Sequence, residues 1–437
     1  MIRFVIAFTA LIAALPARAE VEIQELTTPG GINAWLVEEH SIPFVALELR
    51  FRGGAALDLP GKRGATNLMM ALLEEGSGDL DSQGFARAVE GLAASFSYNT
   101  GDDGVSVSAK MLTENRAEAA ALLRTSLVEP RFEQTDIDRV RAQVISIIQS
   151  DEKDPRDISA RAFDALVFGD HPYGSSRTGT VESVTALTRE DLLTAHGNAL
   201  ARDRLYVSAV GDITAEELTA LLDDLLGDLP ATGAPLPKDA TPNLPGGIKV
   251  VDFDTPQSVV TFAQPGIDRD DEDFFAAYIL NHILGGGGFE SRLMTEVREK
   301  RGLTYGVYSY LLDMDNAQLW VGSVASANDR VAEAIEVIRA EWTRIREEGV
   351  TAAELSDAKT YLTGAYPLRF DGNGPIANIA VGMQLDGLPT DYIANRNDMV
   401  NAVTLEDVNR VAKKLMAPEN LTFVVTGKPE GLATTIN

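Results

Sequence analysis

The chain has 437 residues, 45% hydrophobic and 24% charged, an ordinary globular balance but too long for one compact core, so two or more domains are expected. Its 38 basic and 65 acidic residues give a net charge of −27, which repels nucleic acid and anionic membranes and argues against both as partners. There is no cysteine, which excludes disulfides, thiolate metal sites and cysteine nucleophiles together.

Arg3 precedes an apolar run from Phe4 to Leu15, followed by Pro16 and Ala17-Arg18-Ala19. This is the layout of a secretory signal peptide cleaved after Ala19, and the run is too short to span a bilayer. Residues 1–19 are therefore expected to be removed. The mature chain, with 36 basic and 65 acidic residues and a charge of −29, is expected to be periplasmic or secreted.

Strands are predicted over 34–38 and 45–51, then a buried helix over 64–75. A hairpin is expected from 94–98 and 105–110, around Gly101 and Gly104. Helices follow at 116–127 and 135–151, a turn-rich loop at 171–179 and a short strand at 207–211. The stretch 229–247 holds five prolines and three glycines and no periodic pattern. It reads as a linker between an N-terminal domain, 20–228, and a C-terminal domain, 248–437.

The two halves are related. Ala186-Leu-Thr-Arg-Glu-Asp-Leu matches Ala402-Val-Thr-Leu-Glu-Asp-Val, and Thr188 to Gly211 spans the same 23 residues as Thr404 to Gly427. In each copy a threonine caps a helix and a strand ends at a glycine. Hairpin-like strands mixed with helices, without β-α-β alternation, point to two homologous α+β domains, each a mostly antiparallel sheet with helices packed on it.

The second half contains Gly285–Tyr308, GGGGFESRLMTEVREKRGLTYGVY. Four glycines, Gly285, Gly286, Gly287 and Gly288, suggest a flexible loop that a backbone or ligand can approach closely. Phe289, Leu293 and Val297 recur every four residues as one apolar stripe of a helix ending at Gly302. LTYGVYSYL then alternates as a strand, with Leu303, Tyr305 and Val307 on one face. Arg298 and Tyr305 lie seven residues apart.

ILGGGGFESRL followed by VREKRGLTYGV closely resembles the pitrilysin/insulinase-type zinc peptidases, the group that includes mitochondrial processing peptidase. HPYG…GT-x-ES at 171–183, VGDIT at 210–214 and AVTLEDVNRVAKK at 402–414 extend the resemblance over nearly the whole mature chain. It implies the LuxS/mitochondrial processing peptidase-like metallohydrolase fold. It also implies that Arg298 and Tyr305 belong to a substrate site.

Catalytic members of that family bind zinc through H-x-x-E-H on the first helix of the N-terminal half, with a glutamate from a later helix. Here Asn67, Met70 and Ala71 fall at the first histidine, the glutamate and the second histidine, and Ser146 or Ile147 falls at the later glutamate. Alanine has no donor atom and a thioether is no base. The four histidines, His40, His171, His196 and His282, show no ligand spacing and read as structural or surface residues. No metal or other cofactor is expected in this chain, and no activity from it alone.

The Arg298/Tyr305 pair is complete. A guanidinium donates hydrogen bonds to a substrate carbonyl, and a phenol stabilises a developing oxyanion. The resemblance implies a non-catalytic, substrate-binding subunit whose homologous partner carries the zinc and cleaves unfolded peptides, with Gly285–Gly288 as a further substrate contact. The alternative is an inert scaffold, similar to core subunits of the respiratory bc1 complex.

Overall fold

The strand β3 (Phe44–Arg52) is buried along almost its whole length, although FVALELRFR reads as partly polar. A strand is buried on both faces only when something covers each side of its sheet. The computed structural model, which describes residues 21–436, shows what does so. The expected signal peptide, 1–19, lies outside the described residues.

The first sheet contains β1 (Gln24–Thr27), β2 (Asn33–Glu38) and β3, the later β6 (Ser95–Thr100) and β7 (Gly104–Leu112), and β8 (Leu205–Gly211). A separate two-residue hairpin, β4 (Gly76–Ser77) with β5 (Leu80–Asp81), lies between them in the chain. The sheet order is β1-β2-β8-β3-β7-β6. The second sheet contains β9 (Gly247–Asp252), β10 (Gln257–Pro265), β11 (Val307–Met314), β12 (Ala317–Ala327) and β13 (Thr422–Gly427). Its order, β11-β12-β10-β13-β9, repeats β6-β7-β3-β8-β2. Each sheet has one parallel pair, β2 with β8 and β9 with β13, and is otherwise antiparallel.

Thr188 and Thr404 occupy the same place in the two halves. Each caps a helix, Arg189–Ala199 or Leu405–Leu415, and each forms a capping box with the aspartate three residues on. Gly211 and Gly427 end the strands that follow, with φ of 140° and 152°, a region closed to side chains without strain. In each box the aspartate N–H donates to the threonine Oγ1, which satisfies a helix N–H that would otherwise lack a partner.

The halves exchange helices. Pro155–Phe168, from the first half, packs on β10 and β13 of the second sheet, where Phe163 and Val167 meet Ala263, Val321 and Val424. Asn373–Leu385, from the second half, packs on β3 and β8, where Ala377 meets Ala46 and Val210. Gln384 Nε2 donates to the Val207 carbonyl at 2.7 Å, and Ser159 Oγ lies 3.0 Å from Thr261 Oγ1. Each sheet is thus covered by its own helices on one face and by the other half's helix on the opposite face. Apolar burial of this kind contributes roughly 1.5–3 kcal/mol per large side chain.

The proline-rich stretch has no regular structure between the helix Ala215–Leu226 and β9. It is nonetheless pinned by backbone bonds, Ala234 N–H to Asn198, Ala240 N–H to Asn316 and Asn243 N–H to Val167. Among the described residues, no helix is long and apolar enough to cross a membrane.

Candidate functional site

The glycine run is not a loop throughout. The helix Phe274–Asn281 continues into a π-helical turn, His282–Gly286, so Gly285 and Gly286 are helical and Gly285 is buried. A Cβ on Gly285 would lie 2.4 Å from Ser309 Oγ and 2.7 Å from Ser309 N. Glycine is needed there because the turn packs directly on β11. Only Gly287 and Gly288 remain outside the turn, Gly288 at φ 60° and in open space.

Phe289 does not join the apolar stripe. Leu293 and Val297 are fully buried, but Phe289 is 62% exposed, because the helical segment begins only after the chain has turned at Ser291. Met294–Glu299 winds as a π-helix, a wide turn often found at functional sites. The Arg298 guanidinium lies over the Phe289 ring, 4.6 Å from its centroid, in cation–π geometry.

The ions around this turn are sorted. Glu296 is buried and accepts from Lys300 at 2.7 Å and Arg301 at 2.8 Å. Burial pushes its carboxyl up, yet Lys300 and Arg301 outweigh this and hold it at about 2. Arg292 forks onto Glu354 at 2.6 and 2.8 Å. Among the described residues Arg298 has no carboxylate partner and rests only on Phe289.

Tyr305 also differs from expectation. Strand β11 starts at Val307, not Leu303. Leu303 and Val307 point into the core, but Tyr305, expected on the same face, points out and is 89% exposed. The Val307 N–H donates to Met294 Sδ at 3.4 Å, tying the strand start to the π-helix. Tyr308 and Tyr310 follow on the outward face of β11, each 49% exposed.

The zinc positions lie on the helix Ala65–Leu72. Met70 is 1% exposed and packs in the first core. Asn67 and Ala71 are half-buried beside it, and Ser146 and Ile147 are exposed on Gln134–Asp151. A methyl, a buried thioether and an outward-facing isoleucine do not fit a zinc ligand set. Among the described residues no three His, Cys, Asp or Glu side chains gather as metal ligands.

The histidines have other partners. His40 bridges Glu38 and Asp212, His171 and His196 meet the carbonyls of Lys238 and Leu127, and His282 stacks on Tyr361 with centroids 5.1 Å apart. Burial pushes the His282 imidazole below its ordinary value.

The fold and site together define a two-domain α+β peptidase homologue whose zinc positions carry no ligand set. Residues 34–181 match Insulinase (Peptidase family M16), and residues 186–362 match Peptidase M16 inactive domain. The chain belongs to the M16, or insulinase, peptidase family. The second match begins before β8, so the family units and the two sheets divide the chain at different points.

The chain is 26% identical over 389 residues, 89% of this chain and 90% of the relative, to the non-peptidase homolog YmxG of Helicobacter pylori. It is 22% identical over 398 residues, 87% of this chain and 82% of the relative, to the mitochondrial-processing peptidase subunit beta of Neurospora crassa. A crystal structure of a peptidase M16 inactive domain from Pseudomonas fluorescens superposes with a TM-score of 0.88 at 27% identity, covering 95% of this chain and 100% of that one.

Proposed function

We propose that this chain is the non-catalytic, substrate-binding subunit of a heteromeric, exported zinc peptidase. It lends Arg298 and Tyr305 to a homologous chain that carries H-x-x-E-H and cleaves unfolded peptides. The observation that carries this reading is the presentation of the pair. Every neighbouring cation is spent on a carboxylate, while Arg298 sits on an aromatic platform and Tyr305 stands 89% exposed.

In this reading the Arg298 N–H groups donate to a carbonyl of the bound peptide and fix its register. The Tyr305 hydroxyl donates to the oxygen that gains charge as the peptide bond is attacked. The zinc chemistry belongs to the partner. Gly288, in open space, leaves room for an extended backbone to approach. A relative named as a mitochondrial-processing peptidase subunit and another named as a non-peptidase homolog support a divided enzyme.

The test mixes the chain with the H-x-x-E-H homologue from the same genome and follows a fluorogenic unstructured peptide. Tyr305→Phe is expected to lower turnover on the order of 10²–10³-fold, as loss of one oxyanion donor typically does, with assembly and zinc content unchanged. Wild-type turnover in both Tyr305→Phe and Arg298→Ala complexes would replace this reading with that of a scaffold.

A further inference from the structure

An extended strand through residues 303–309 would put Tyr305 on the same face as Leu303 and Val307, both of which are buried. The phenol would then point into the core. One hydroxyl occupies the backbone groups at this point. Thr304 Oγ1 donates to the Ala325 carbonyl at 2.7 Å and to the Gly306 carbonyl at 2.8 Å, sharing its single hydrogen, and accepts the Gly306 N–H at 3.1 Å.

The register gives these bonds their meaning. β11 and β12 pair Val307 with Val324, so a longer β11 would place Gly306 opposite Ala325. The Thr304 hydroxyl takes up the Ala325 carbonyl instead and ends the ladder there. Its own bonds across Tyr305 to Gly306 close a local turn of the kind serine and threonine favour in competition with strand pairing. On the near side the turn is fixed by Leu303. Its N–H donates to the Val297 carbonyl at 3.0 Å, and its carbonyl accepts from Ser326 Oγ at 2.6 Å. The residues on both sides of Tyr305 are held, and only its side chain faces solvent.

We propose that Thr304 is the positioning residue for Tyr305: its hydroxyl breaks the strand one turn early and thereby aims the phenol out of the core. The proposal rests on the reading that Tyr305 acts on substrate. Thr304 itself touches no substrate in this account; it sets where the phenol stands before substrate arrives.

The experiment compares Thr304→Val, which keeps the shape and deletes the hydroxyl, with Thr304→Ser, which keeps the hydroxyl. Each is assembled with the H-x-x-E-H homologue and assayed on the fluorogenic unstructured peptide. Thr304→Val is expected to lower kcat by about 10- to 100-fold, the scale of a misplaced catalytic group, with KM near wild type. Thr304→Ser should stay within about threefold of wild type. Hydrogen exchange across 303–307 should quicken in the valine variant alone.

Normal turnover by Thr304→Val beside a slow Tyr305→Phe complex overturns the positioning role and leaves the substrate role of Tyr305 standing. Normal turnover by both overturns the function proposed above as well. If Thr304→Val does not fold, two other measurements decide: the Gly306 amide of the wild-type chain should be protected, and Thr304→Ser should be active. A freely exchanging Gly306 amide, or a serine variant as slow as Tyr305→Phe, overturns the proposal.

Discussion

The guanidinium of Arg298 lies over the ring of Phe289, 4.6 Å from its centroid. This one contact accounts for two features of the site, a large aromatic left 62% exposed and an arginine that no carboxylate holds among the described residues. An ion pair would compete with a substrate carbonyl for the guanidinium donors, whereas a ring face orients the group and leaves its N–H edge free.

Phe289→Ala therefore tests the platform. An exposed cation–π contact is worth about 0.5–1 kcal/mol, so peptide binding by the assembled complex should weaken about two- to fivefold. Thermal stability should not change, because Phe289 is not part of either core. Phe289→Tyr should bind as wild type. Equal affinity in the alanine variant, measured by fluorescence anisotropy of a labelled peptide, would show that Arg298 is oriented by something else.

Gly285→Ala probes the close approach of the π-helical turn to β11. The added Cβ would meet the backbone nitrogen and the hydroxyl of Ser309 at 2.7 and 2.4 Å, and the backbone cannot yield as a long side chain could. Overpacking of this kind typically costs about 1–3 kcal/mol. Urea denaturation should show that loss, with the slope of the transition unchanged. Gly288→Ala, in open space but at φ 60°, should be strained by its backbone alone and cost less. Equal stability of Gly285→Ala and wild type would refute the packing argument.

Asp164 gives a pH dependence. Burial pushes its carboxyl up, the charge of Asp102 adds to this, and Arg177 and Arg63 only partly offset it, leaving it at about 7. A folded-state value above the unfolded value of 3.8 means the protonated group favours the fold. That stability is fully present below about 3.8 and is lost as pH rises through about 7. Asp164→Asn should accordingly melt higher than wild type at pH 8, with the advantage vanishing toward pH 4. Parallel melting curves at every pH would show that the carboxyl titrates normally.

Most of the strand plan was legible in the sequence because alternation and turn residues act locally. The expected strands at 34–38, 45–51 and 207–211 correspond to β2, β3 and β8, and the expected hairpin to β6 and β7. The missing zinc donors were legible too, since a helix fixes which side chains share a face at a spacing of three or four. The direction of Tyr305 was not. A period of two cannot reveal that a threonine hydroxyl will take the carbonyl of a strand 21 residues away.

By itself the sequence determined the duplication, through its two threonine-capped helices and the strands ending at Gly211 and Gly427, and it determined that Asn67, Met70 and Ala71 cannot form the family's zinc site. These are properties of residue type and spacing, and they hold wherever the chain goes. Only the tertiary structure decided that Gly285 and Gly286 extend a helix, that Phe289 serves Arg298 rather than the core, and that each sheet is closed by a helix from the opposite half. Those outcomes depend on which surfaces meet: whether an apolar side chain is buried, or a backbone group paired, is settled by a neighbour far away in the chain.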